Sequence, residues 1–168
     1  IMADRDSAIQ SLEGSDAELQ QVVITSTISS LKDSTGANGT LEIGDINNWD
    51  AAAATSIDAT AFKGTSLMVG QTTEIGLGTI ADFADGVVTD VNTFNAAGIT
   101  ANVRYDAAVG TQKTVGANAV DTEEEAYTVT TGSGADTINM EVSMQAAAHD
   151  EFSVTINTDS GNDTVNLT

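Results

Sequence analysis

The chain has no cysteine, which excludes disulfide frameworks, zinc–thiolate sites and thiol nucleophiles. Basic residues are nearly as scarce. Arg5, Lys32, Lys63, Arg104 and Lys113 face 25 Asp and Glu, giving a net charge of −20 and a pI of about 4.1. Nucleic-acid binding needs clustered Lys and Arg to displace counterions from phosphates. We therefore expect no nucleic-acid partner, and divalent cations are better matched to this charge. Aromatic residues make up only 4%, so a core must be built from Val, Ile, Leu, Met and Ala. His149 is the single histidine, too few for a multi-histidine metal site. No apolar run approaches the roughly 18 residues of a membrane helix, and no membrane insertion is expected.

What is present is enough for a folded domain. The 168 residues are 40% hydrophobic, with mean hydropathy near zero, the composition of a globular chain. The sequence opens on Ile1 and closes on Thr168 within what reads as a strand, so we expect a segment of a longer or processed polypeptide.

Residues 1–36 read as a helical, oligomerising segment. Ile9, Leu12, Leu19 and Val23 fall on three-four spacing, and Ser15-Asp16-Ala17-Glu18 has the form of a capping box. The β-branched stretch Val22–Ile28 also suits a strand, and its type stays open. Residues 37–125 read as an α+β core. Thr79 caps a helix over 79–97, with Ile80, Phe83, Val87, Val91 and Phe94 on one face and Gly98 as its stop. The period then changes to two: Ile99, Ala101, Val103 and Tyr105 alternate with polar residues as in a half-buried strand. Leu67-Met68-Val69 and Glu74–Leu77 read as a strand pair around Gly70. Residues 126–168 form a β repeat. The expected fold class is thus α+β and β-dominated: an N-terminal helical segment, a mixed strand-helix-strand core and a C-terminal β-hairpin or solenoid-like repeat.

The repeat is the most specific signal. Val129–Met140 aligns without gaps to Ile156–Leu167 at an offset of 27, with Thr131, Ser133, Gly134, Asp136, Thr137 and Asn139 recurring as Thr158, Ser160, Gly161, Asp163, Thr164 and Asn166. Gly132, Gly134, Asp136 and Ile138 in one copy, and Gly161, Asp163 and Val165 in the other, resemble the RTX nonapeptide Gly-Gly-x-Gly-x-Asp-x-apolar-x. The resemblance implies a calcium-binding bacterial surface or phage structural protein, with Asp136, Asp163 and Asp159 as ligands. Thr131 and Thr158 replace the first glycine, Asp159 replaces the second glycine of the later copy, and residues 141–151 carry no motif. The alternative is that Asp136 and Asp163 cap backbone turns. Elsewhere, Leu41-Glu42-Ile43 through Trp49 and Phe62 looks like one leucine-rich surface-protein repeat. Residues 66–106, with Phe94-Asn95-Ala96 leading to Gly98-Ile99-Thr100-Ala101, resemble the strand-helix-strand module of flagellins and hook-associated proteins.

Catalytic signatures are missing. There is no Gly-x-Ser-x-Gly elbow for His149 to serve and no phosphate-binding Gly-Lys loop. No catalytic residue or organic cofactor is assigned. We expect a non-catalytic structural or adhesive component of an extracellular, cell-surface or virion assembly (surface layer, filament, adhesin, or phage tail or fibre), self-assembling as a homo-oligomer. Two other readings stay open: a calcium-binding folding module of a secreted protein, and a carbohydrate-binding or carbohydrate-processing domain.

Overall fold

The computed structural model describes residues 7–14, 21–26, 39–48, 56–70, 88–89, 91–109, 125–142 and 152–168. Among these every regular element is a strand: β1 (Ser7–Gly14), β2 (Gln21–Thr25), β3 (Thr40–Asn48), β4 (Ser56–Ala61), β5 (Ser66–Val69), β6 (Val88–Thr89), β7 (Thr93–Asn95), β8 (Asn102–Val109), β9 (Glu125–Thr130), β10 (Thr137–Val142), β11 (Phe152–Asn157) and β12 (Thr164–Leu167). They form two sheets. The first runs β1-β3-β5-β8-β10-β12, with β6 bridging β3 and β8, and the second runs β11-β9-β7-β4-β2. Every pairing is parallel. The chain passes alternately between the sheets, β5 and β6 sharing one position in the first, and advances one strand along each, which is a two-sided β-solenoid.

This overturns the α+β expectation. The N-terminal residues expected to be helical contain β1 and β2, while the capping box lies outside the described residues. Ile9 and Leu12 do face the core, but as strand residues opposite Ile43 and Ile46. Both of those are fully buried although three apart, so the inward face of β3 shifts between them. A three-residue spacing that suggests a helical turn here records that irregularity. Of the helix expected over 79–97, residues 79–87 and 90 lie outside the described residues. Val88–Thr89 and Thr93–Asn95 are strands. Phe94 is buried because it points inward between Thr93 and Asn95, and β7 is too short to display a two-residue period. The strand-helix-strand core expected here is thus corrected: the regular elements among the described residues of this stretch are strands. Residues 74–77 lie outside them, and Gly70 ends β5 at φ 88°. The hairpin alternative for 126–168 is also replaced. Thr137, Ile138, Asn139 and Met140 lie beside Thr164, Val165, Asn166 and Leu167 in parallel register, so the 27-residue offset is one turn of the solenoid.

The core lies between the sheets and is stacked in columns. Val22, Ile57, Phe94, Val129 and Ile156 stack along one sheet. Ile43, Val69, Tyr105, Ile138 and Val165 stack along the other. Phe94 and Tyr105 join the sheets as stacked rings 4.3 Å apart. Burying each such side chain is worth about 1.5–3 kcal/mol. At the last coil the cover stops: Val165 is 44% and Leu167 57% exposed, although Ile138 and Met140 beneath them are sealed.

Candidate functional site

The corner leading from the second sheet to the first carries most of the polar chemistry of the C-terminal coils. It spans residues 96–101, 131–136 and 158–163 in three successive coils, always six residues. The first and last entries are held by a side chain accepting from the amide two residues on: Asn95 Oδ1 from Ala97 N at 3.1 Å and Asn157 Oδ1 from Asp159 N at 3.1 Å. Asp58, in register with Asn95, does the same to Thr60 N at 3.0 Å and also accepts from the Thr60 hydroxyl at 2.7 Å. Those bonds, the hydroxyl first, hold the Asp58 carboxyl below the usual range against a smaller opposing effect of burial. These are Asx turns, repeated up the stack.

Glycine is required where successive corners touch. A Cβ on Gly134 would lie 2.2 Å from the Ala101 carbonyl oxygen, and one on Gly161 would lie 1.9 Å from that of Gly134. Asp159 stands where the preceding coil has Gly132 and takes φ 54°, a left-handed conformation Asp tolerates better than most residues.

Asp136 and Asp163 leave the corner one coil apart and perform one task. Asp136 Oδ1 accepts from Val103 N at 2.9 Å, and Asp163 Oδ1 accepts from Asp136 N at 3.0 Å. Each carboxylate therefore ties its coil to the backbone of the coil before. Thr164 N–H donates to the Asp136 carbonyl at 2.8 Å, and Ala135 N–H donates to Asn102 Oδ1 at 2.9 Å. Asp136 occupies the inward column that holds Leu41, Leu67 and Val103 in earlier coils, and is 1% exposed. Burial pushes its carboxyl above the ordinary range. The Thr131 hydroxyl and the Val103 amide act against that shift, and the Asp163 charge adds to it. Asp136 Oδ2 and Thr131 Oγ1 are both buried without a hydrogen bond of regular geometry.

A second polar column runs along the outside of the first sheet. Asn139 Nδ2 donates to Asp106 Oδ1, and Asn166 Nδ2 donates to Asn139 Oδ1 at 2.7 Å. Arg104 Nε closes the other Asp106 oxygen at 3.1 Å. The recurrence of Asn139 and Asn166 at the repeat offset was the available signal for this ladder; its first member, Asp106, has no counterpart in the repeat.

Calcium requires six to eight oxygens. The structure brings Asp136 and Asp163 together at one corner and leaves Asp159 exposed on the turn, but both Oδ1 atoms are engaged with amides. Among the described residues no three His, Cys, Asp or Glu side chains are placed to share a metal ion. The donors present thus fall short of a ready-made calcium cage. They fit a backbone-tying role, with one buried carboxylate oxygen and one hydroxyl left over. No protein family matches the chain, and no similar curated protein or solved structure was found.

Proposed function

We propose that the chain is a non-catalytic structural or adhesive element of an extracellular or virion assembly, acting as a rigid rod segment that presents its sheet faces. The observation that carries this reading is the employment of the conspicuous polar side chains. Asp58, Asn95, Asp106, Asp136, Asn139, Asn157, Asp163 and Asn166 all hold backbone or neighbouring side chains in place along the stack. Catalysis needs such groups converging on a cleft with freedom to exchange protons. Here they converge on the fold itself. The test pairs two measurements on the full chain: retention on intact cells, glycans and crystalline surfaces, and hydrolysis of a panel of polysaccharides. Retention without turnover supports the reading. Turnover lost on changing a pair of carboxylates would overturn it in favour of a carbohydrate-processing enzyme.

The calcium-binding module remains a second reading because of one observation, the buried Asp136 Oδ2 beside Thr131 Oγ1. Melting in calcium and in chelator separates the two. A rise with calcium that Asp136→Asn abolishes supports the module, and equal melting in both removes it.

A further inference from the structure

The outer face of the second sheet differs chemically from the rest of the chain. Ser56, Thr93, Thr128 and Thr155 form one row across four coils, and Asp58, Asn95, Thr130 and Asn157 form a second row two residues on. The residues between the rows, Ile57, Phe94, Val129 and Ile156, point into the core, so both rows point out. In a chain of net charge −20, these eight positions contain one ionisable group, Asp58, and no ring.

We propose that this face adsorbs to ice, a ligand of ordered water beyond any structural role of the rod. Three observations select that ligand. The rows repeat in two dimensions without a register shift from β4 to β11, at about 4.8 Å between coils and about 6.6 Å along a strand. The first is close to the shorter oxygen repeat on the prism face of hexagonal ice, and the second falls somewhat short of the longer one. The groups are also short and stiff: threonine has restricted χ1 freedom, and Asp58, Asn95 and Asn157 are pinned by their own turns. Little conformational freedom is left to lose when a lattice forms against them. Finally, hydroxyls and carboxamides both donate and accept, as lattice water does. The face offers a phosphate polymer no positive charge and a cation only Asp58, and it holds no aromatic ring on which a sugar could stack.

The experiment is partition of the full chain into a slowly growing ice hemisphere, with an unrelated protein of similar net charge as reference. Thr128 and Thr155 are exposed, so a Thr128→Glu, Thr155→Glu double variant places charge on the face without disturbing the core. A Thr137→Glu, Thr164→Glu pair, adjacent in register on the other sheet, is the charge-matched control, and circular dichroism melts establish that each variant folds. The expected result is incorporation roughly tenfold above the reference, abolished in the double variant and kept in the control. Exclusion of the native chain to the reference level overturns the proposal, as does undiminished incorporation of the folded double variant. If the face mediates only association of a second copy, seen by sedimentation and lost in the double variant without ice incorporation, the proposal is likewise overturned. Retention on cells or polysaccharide would survive such a failure, so the adhesive reading is judged separately.

Discussion

Asp136 is a carboxylic acid in a position that earlier coils give to Leu67 and Val103, and the Val103 amide explains how it is accommodated. The cost appears in its titration. Its folded-state pKa lies above the unfolded value, so folding takes up a proton. The resulting stability is fully present below the ordinary aspartate pKa of about 3.9 and declines as pH rises toward the folded pKa. Asp136→Asn keeps an oxygen for Val103 N–H and supplies an N–H toward Thr131 Oγ1. It is expected to raise the melting temperature at pH 7 in chelator and to match the native chain at pH values below the aspartate range. A lower melting temperature at pH 7 would refute this account. Asp58 has the opposite sign: its carboxyl is lowered, so its contribution is present at neutral pH and is lost as pH falls through the folded pKa. At Asp159, glycine would relieve the left-handed backbone while its extra unfolded-state freedom offsets part of the gain. Asp159→Gly should therefore stabilise by up to about 1 kcal/mol in urea unfolding.

Among the elements, the strands show why alternation was readable in one place and misleading in another. β8 has eight residues, and Val103 and Tyr105 are buried in the two-residue period, which the sequence displays openly. β5 and β7 have four and three residues, shorter than the window over which any period declares itself. Helix-like spacing at Ile9 and Leu12 comes from a shift of inward face between Ile43 and Ile46, which no local propensity marks. The ladder and the corner give two expectations. Asn139→Ala removes one bond to Asp106 and one to Asn166 and should cost about 1–3 kcal/mol in chemical denaturation. Gly134→Ala drives a methyl onto the Ala101 carbonyl oxygen and should cost at least about 2 kcal/mol, by a backbone clash that no rotamer relieves.

Taken as a whole, the chain is a stack in which each coil meets only its neighbours. Stability is then a sum of neighbour terms, and opening begins where neighbours run out. Amide hydrogen exchange should find β5, β8 and β10, each paired along both edges, strongly protected. Rapid exchange throughout β8 and β10 would contradict the stack. At this scale the sequence was most informative. Its 27-residue repeat is one coil, and the recurring Ser-Gly-x-Asp-Thr-x-Asn marks the corner together with the strand that follows. It was silent about the earlier coils because their Gly, Asp and Asn positions are filled by other residues. Val103 stands opposite Asp136, and Ala101 precedes the corner exit where later coils have Gly134 and Gly161.

Coil length in this protein is not constant: register partners are 26 residues apart between β3 and β5, 33 between β8 and β10 and 27 between β10 and β12. The corners 131–136 and 158–163 are equal in length, so the difference between the 33- and 27-residue coils falls entirely in the return connections, residues 110–124 and 143–151. In these two coils the corner keeps one length while the return connection varies. A peptide tag or a foreign epitope grafted between 110 and 124 should leave the axial repeat untouched, whereas one extra residue between 131 and 136 would upset the joint placement of Gly134 on Ala101 and of Asp136 on the Val103 amide.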